Sequence, residues 1–147
     1  MTIQWTDPSG PTSSNMTVFV HDNDGLATEI LDDSVPFSVH FHWAVPSSIA
    51  SILGGQFRLR AYAESIGPGS EVALMPAGPL MVGVVAGQTA YDVHLDVAAG
   101  TLEGENVSPD RSGVYKIIGV LQHINTSGAA TQVCGFAEGS MIQIRTP

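Results

Sequence analysis

Basic residues are scarce in this sequence. Five Lys and Arg stand against fourteen Asp and Glu among 147 residues, which gives a formal net charge of -9. A surface with so little positive charge repels a phosphate backbone, so we expect no nucleic-acid partner. Charged residues make up only 13% of the chain, whereas typical soluble domains carry about 25%. The composition therefore predicts that part of the surface is covered in the working state.

Cysteine and long apolar runs are also almost absent. The single Cys134 cannot form an internal disulfide, and small secreted domains usually depend on several. We therefore predict a cytoplasmic protein in which Cys134 is a buried structural thiol. The N-terminal stretch MTIQWTDPSG has neither a basic start nor a long apolar run, so no signal peptide is expected. No run reaches the roughly 18 apolar residues of a membrane-spanning helix, so no membrane partner is expected either.

Long helical patterns are missing, and short alternating runs between glycines and prolines take their place. Apolar and polar residues alternate from Phe37 to Val45, and again over 57–64 and 91–97. The run 114–124 is apolar on both sides, which is typical of a central strand. These patterns predict an all-β antiparallel sandwich of about seven to eight strands, formed by residues 16–147 as a single domain. At most one short helix is expected, near 47–53.

A stretch just before the predicted central strand carries a family resemblance. DRSGVYKI contains Asp110, Gly113 and Tyr115, and it resembles the Asp-x-Gly-x-Tyr stretch that leads into strand F of immunoglobulin-like domains, with one residue inserted. The cysteine pair of antibody domains is absent. The resemblance implies two packed antiparallel sheets, with the Tyr115 hydroxyl capping the preceding turn as a tyrosine corner. It implies no particular function, because such sandwiches serve many.

Polar residues on two of the predicted strands suggest a possible site. If the strands that start near Phe37 and Tyr91 are neighbours, one outward face holds several imidazoles and carboxylates. The expected members of this face are His40, His42, Asp92, His94 and Asp96, with His21 added from the first strand if that strand flanks them. Such groups at cross-strand distances of about 4.5–5.5 Å can chelate zinc or copper. The competing interpretations are a solvated sheet face and a face that packs on another subunit.

The first fifteen residues are predicted to be a flexible N-terminal arm. The stretch 7–15, DPSGPTSSN, has the composition of a linker. Ile3 and Trp5 precede it in alternation, and an exposed tryptophan is costly unless it docks. The arm either adds an edge strand to its own sandwich or pairs with the edge of another copy.

No stretch of the sequence carries a catalytic motif, so we predict that the protein is not an enzyme. The predicted function is a structural or interaction module that self-associates through β-edge pairing, with Ile3 and Trp5 as the anchor of the arm. The expected partner is another copy of the chain, in a homo-oligomer or larger assembly, and a different protein partner stays open. The alternative is a small-ligand or metal-binding module that uses His40, His42 and His94. No cofactor is predicted otherwise.

Overall fold

The fold is built almost entirely from strands. The computed structural model describes residues 2–7, 10–75, 77–105 and 112–146. The strands in these ranges are β1 Thr2–Asp7, β2 Gly10–His21, β3 Ile30–Asp32, β4 Phe37–Ala44, β5 Gln56–Ser65, β6 Val72–Ala73, β7 Leu80–Gly83, β8 Ala90–Val97, β9 Val114–Ile124 and β10 Ala130–Arg145. One short helix, α1 Ser47–Ala50, follows β4. Within the described ranges, no helix is long and apolar enough to cross a membrane. The all-β prediction is confirmed.

Strand β2 connects two sheets. Its first half pairs with β1, where Thr2 lies opposite Asn15, and its second half pairs with β4, where Met16 lies opposite Trp43. The small sheet has the order β2–β4–β8, and the large sheet has the order β6–β5–β9–β10–β1–β2. Strand β7 also pairs with β5, and β3 pairs with β10 in parallel. This parallel pair differs from the purely antiparallel sandwich that the sequence predicts.

The two sheets pack face to face around an apolar core. The alternation of β4 places Val39, Phe41 and Trp43 inward, and all three side chains are buried. The ring centroid of Trp43 lies 5.3 Å from that of Phe57 in the large sheet. Phe57 in turn lies 5.1 Å from Tyr91 of the small sheet. Aromatic pairs at these separations add to the gain from burial, so the interior between the sheets is a packed core.

The N-terminal segment belongs to the sandwich. Strand β1 pairs with β10 on one edge and with β2 on the other. Ile3 and Trp5 are 0% and 2% exposed, and Trp5 Nε1 donates a hydrogen bond of 2.7 Å to Ser14 Oγ. This differs from the flexible arm that composition predicts for residues 1–15. Two apolar core side chains and backbone pairing on both edges stabilise the segment despite its linker-like composition.

The stretch that resembles a tyrosine corner begins β9. Tyr115 is fully buried, and its hydroxyl donates a hydrogen bond of 2.8 Å to the backbone carbonyl of Glu103. Gly113 has a φ of +75°, and a Cβ at this position would lie 2.8 Å from the backbone nitrogen of Glu105. Both features favour glycine there. Asp110 lies outside the described residues. Tyr115 thus ties the start of β9 to the segment 103–105.

Candidate functional site

Four of the five histidines of the chain lie on the outward face of the small sheet. This histidine face consists of Thr17, Phe19, His21, Ser38, His40, His42, Asp92, His94 and Asp96. His40 lies directly opposite Phe19 on one side and His94 on the other, while His42 lies opposite Asp92. The expectation that β4 and β8 are antiparallel neighbours is confirmed. Phe19 was not predicted to lie on this face, although the alternation of the inward-pointing Met16 and Val18 already indicates that Phe19 points outward.

The aromatic rings of the histidine face contact one another. The ring centroid of His40 lies 4.0 Å from that of His21 and 5.3 Å from that of His94. Phe19 stacks on His40 at 5.2 Å with an interplanar angle of 17°. Ser38 Oγ lies 3.0 Å from His40 Nε2. His40 is therefore the centre of a row of rings that runs across all three strands of the small sheet.

The surroundings of His40 disfavour its charged form. Partial burial lowers the pKa of His40 below its ordinary value of 6.5, and the neighbouring His21 and His94 lower it further. Asp92 acts in the opposite direction but is a weaker influence. This carboxylate lies 3.1 Å from His42 Nε2 through its Oδ1. The face therefore combines an imidazole that favours its neutral form with carboxylates on the outermost strand.

The three predicted metal ligands share one face but do not converge. His40 and His94 have their rings 5.3 Å apart, whereas His42 contacts Asp92 instead. In the part of the chain that the structure describes, no three His, Cys, Asp or Glu side chains are grouped so that they could hold a metal ion. A surface cavity of about 500 Å³ borders the face beside His21, His40, His94 and Asp96. Zinc or copper binding stays a prediction.

We expect His40 to make the protein less stable in mild acid. Because the pKa of His40 is lower in the folded chain than in the unfolded chain, the unfolded chain takes up the proton first. The free energy of unfolding should be highest above pH 6.5 and should fall as the pH drops from 6.5 towards the folded pKa. Melting curves of the wild type and of His40→Gln on both sides of pH 6.5 measure this effect. His40→Gln should lose less stability in acid, and equal losses in both proteins would contradict the expectation.

Strand β8 is an edge of the small sheet. It pairs with β4 at eight consecutive positions, from Phe37 opposite Val97 to Ala44 opposite Ala90, without a register shift. Among the described residues, no strand pairs with its other edge. A long edge strand without a bulge presents a row of backbone donors and acceptors to any extended chain. Strand β8 is therefore a geometrically regular site for strand addition.

The outward face of the large sheet carries an apolar patch that sequence analysis did not identify. Tyr62 lies opposite Ile118, and Val120 lies opposite Phe136, which is 54% exposed. These four residues define the apolar patch. The signal was present in β9, which is apolar on both sides, but this pattern was used only to predict a central strand. Cys134 also points outward and is exposed, so the prediction of a buried thiol is wrong.

Comparisons with known proteins find distant structural likenesses. No protein-family model matches the sequence, and no curated protein matches it. The CARDB domain of a Pyrococcus furiosus protein, solved in complex with di-metal ions, aligns at 10% identity and a TM-score of 0.45, covering 90% of this chain and 89% of that domain. A β-glucosidase from Listeria innocua, solved with gluconolactone, aligns at 10% identity and a TM-score of 0.42. That match covers 90% of this chain and 17% of the β-glucosidase. The fold assignment therefore rests on the strand pairing and burial described above.

Proposed function

We propose that this chain is a non-enzymatic β-sandwich module that self-associates by pairing the β8 strands of two copies. The observation that supports the proposal is the regular outer edge of β8, with which no strand of the described residues pairs. Antiparallel addition of a second β8 joins the small sheets of two copies into one continuous sheet, with a two-fold axis perpendicular to it. The backbone supplies the affinity, and the side chains on the two faces determine the register.

Side chains on β8 favour two registers over the others. A two-fold axis through the inward-pointing Val93 or Leu95 places His94 opposite Asp92 or Asp96 of the second copy. An axis through His94 instead places Asp92 opposite Asp96, which brings two carboxylates together. Cross-strand pairs contribute roughly 0.2–1 kcal/mol each, and like charges directly opposite each other are destabilising. The alternation of Asp, His and Asp along β8 is therefore complementary to itself in the antiparallel orientation.

The sequence prediction placed the anchor of self-association at Ile3 and Trp5. Both side chains lie in the core of their own chain, and β1 is paired along both edges. An intermolecular role would require β1 to leave this position, with the loss of its core contacts. We therefore assign the edge pairing to β8.

The surroundings of His40 support a non-enzymatic role. Ser38 Oγ and His40 Nε2 form a hydroxyl–imidazole contact of 3.0 Å, which is the kind of pair that nucleophilic catalysis uses. In a catalytic arrangement a third group, commonly a carboxylate, orients the base. Asp92, the carboxylate that acts on the charge of His40, lies 3.1 Å from His42 Nε2 instead, and among the described residues no hydrogen bond joins a carboxylate to His40.

His94→Glu is expected to reduce the number of subunits in the assembly. In either register, the glutamate of each copy lies opposite Asp92 or Asp96 of the other copy. The two-fold symmetry creates this repulsive contact twice in each dimer. Thr17→Glu is the matched control, because Thr17 is exposed on the same face but lies in β2, away from the β8 edge. Native mass spectrometry of the untagged proteins measures the subunit number. An unchanged number in His94→Glu, or a monomeric wild type, would overturn the proposal.

The same spectra test the metal-binding alternative. A stoichiometric zinc or copper ion that is lost in His40→Ala with His42→Ala would support a ligand site on the histidine face. A mass without metal, measured after incubation with either ion, would remove this alternative.

A further inference from the structure

We propose that the outward face of the large sheet is a second self-association surface, on which another copy packs face to face with its strands antiparallel. This surface lies on the other side of the sandwich from the histidine face, and the inference does not depend on the pairing of β8. It rests on the apolar patch and on the charges at its two ends.

The patch occupies the middle of the sheet. Strand β9 is central, with β5 and β10 hydrogen-bonded on its two sides. Across these strands the residues Tyr62, Ile118, Val120 and Phe136 form two adjacent rows. Phe136 is 54% exposed and has an apolar neighbour in Val120 directly opposite. A continuous apolar area on the middle of an outward sheet face is the feature that marks an association surface.

The charged residues of this face are unusual for the chain. Arg58, Arg60 and Lys116 point outward here, and they are three of only five basic residues in the protein. Beside the patch, β5 and β10 contribute the acidic residues Glu64 and Glu138, so this part of the face carries three basic and two acidic residues on a chain of net charge -9. A partner for this face needs apolar side chains and acidic groups together.

The charges are separated along the strands. Arg58 lies beyond one end of the patch, where it hydrogen-bonds to Gln122, and Arg60 lies beside the patch in the row of Val120 and Phe136. These two residues define the arginine end of the face. Glu64 lies at the other end, in the row of Lys116. Lys116 Nζ forms an ion pair of 2.8 Å with Glu138 Oε2, which leaves Glu64 to give this end its negative charge.

This separation determines how two copies can pack. A two-fold axis in the plane of the interface and perpendicular to the strands brings the arginine end of one copy onto the glutamate end of the other. An axis parallel to the strands brings the arginines of both copies together. Complementary potentials orient an interface, and like charges in contact across it are strongly unfavourable. A second copy therefore covers the apolar patch and places opposite charges at both of its ends, but only when the strands of the two copies are antiparallel.

Two surfaces of this kind on one chain have a consequence for assembly. Each is used identically by both partners, so each alone forms a closed dimer. When a chain uses both the β8 edge and this face, dimers are joined into larger assemblies. The angle between the two two-fold axes determines whether these are closed tetramers or open chains. An assembly larger than a dimer covers more of the surface of each copy, which agrees with the low content of charged residues in the sequence.

The first experiment introduces a charge into the patch. Phe136→Asp should convert the dimeric His94→Glu variant into a monomer, because the aspartate would be buried without a partner in the interface. Ile52→Asp is the matched control, since Ile52 is 68% exposed and lies outside the patch. Native mass spectrometry measures the subunit number, and circular dichroism shows that each variant is folded.

The second experiment tests the orientation. In the His94→Glu background, Arg58→Glu with Arg60→Glu makes both ends of the face acidic, so this variant should be monomeric. Adding Glu64→Lys with Glu138→Lys exchanges the charges of the two ends, and the resulting variant should dimerise again but should not form heterodimers with the unexchanged chain. Heterodimers of the exchanged and unexchanged chains would mean that like ends of the face meet, and would overturn the antiparallel arrangement.

The outcomes separate the two proposals. If His94→Glu is already monomeric, the face inference fails while the β8 proposal stands. If His94→Glu keeps the wild-type subunit number and Phe136→Asp lowers it, the β8 proposal fails while the face inference stands. If both variants keep the wild-type number, both proposals fail.

Discussion

Trp5→Ala should lower the free energy of unfolding by about 3–5 kcal/mol, the range for truncating a buried aromatic side chain to alanine. Trp5 is 2% exposed, and its ring packs edge-on against Phe57 at 6.2 Å. The substitution also removes the hydrogen bond from Nε1 to Ser14 Oγ. Because Ser14 Oγ also donates to the carbonyl of Ala44, the change loosens the place where β1, β2 and β4 meet. Urea unfolding followed by fluorescence or circular dichroism measures the loss.

Ile52→Ala is the control for Trp5→Ala. Ile52 is 68% exposed, and substitutions at such surface positions usually change stability by less than about 0.5 kcal/mol. The opposite result is also informative. If Trp5→Ala keeps the wild-type stability but reduces the subunit number, then β1 acts between copies, as an arm would. A large loss of stability supports β1 as part of its own core.

Local sequence patterns were enough to predict the central strands: β4 from its alternation, and β9 from a run that is apolar on both sides. Strand β9 has the bounds 114–124 that the sequence predicts, and β4 begins at the predicted Phe37. In both strands each residue's side of the sheet follows from its position alone, because the side-chain period of a strand is two. The sequence also predicts a last strand in two pieces, 131–136 and 141–145, and the structure has one strand, β10, with a register shift between Glu138 and Met141.

The role of the N-terminus could not be predicted in this way. Residues 10–15 have linker composition, yet they form the first half of β2 because β1 lies beside them and β10 lies beyond β1. Such pairing brings together positions more than a hundred residues apart, as Ile3 and Gly135 are. Composition reports local preference only, and tertiary pairing overrides it.

The candidate site could be predicted only in part, because its geometry also depends on tertiary contacts. Alternation identified His40, His42 and His94 as outward residues, and the register confirms that they share a face. Whether three side chains converge on a metal depends on rotamers and on neighbours such as Asp92, which no pattern specifies. The apolar patch was missed because a strand with two apolar sides is equally consistent with burial on both and with one uncovered association face.

Gly119→Ala should destabilise the fold by about 1–3 kcal/mol, the usual cost of overpacking. A Cβ at Gly119 would lie 2.4 Å from Val18 Cγ2 and 2.9 Å from Phe41 Cε1 of the facing sheet. Gly119 lies between Ala61 and Ala137 in register, so a band of small residues in the large sheet accommodates Phe41. The sign of the change in stability shows whether the Cβ clashes, because an unstrained Gly→Ala substitution stabilises proteins by about 0.4–1 kcal/mol.

Two further variants show whether the contact with the facing sheet is the cause. Gly83→Ala is the matched control, because nothing lies within 4 Å of a Cβ at that position in β7; its stability should stay the same or rise slightly. Val18→Ala removes the atom 2.4 Å away, so in its presence Gly119→Ala should cost less, with a coupling of about 0.5–3 kcal/mol in a double-mutant cycle of urea unfolding. If the two substitutions are additive, or if Gly119→Ala behaves like Gly83→Ala, the two sheets do not approach as closely here as described. A coupled loss instead means that the distance between the sheets is determined where Gly119 meets Phe41 and Val18, directly beneath the apolar patch on the opposite side of β9.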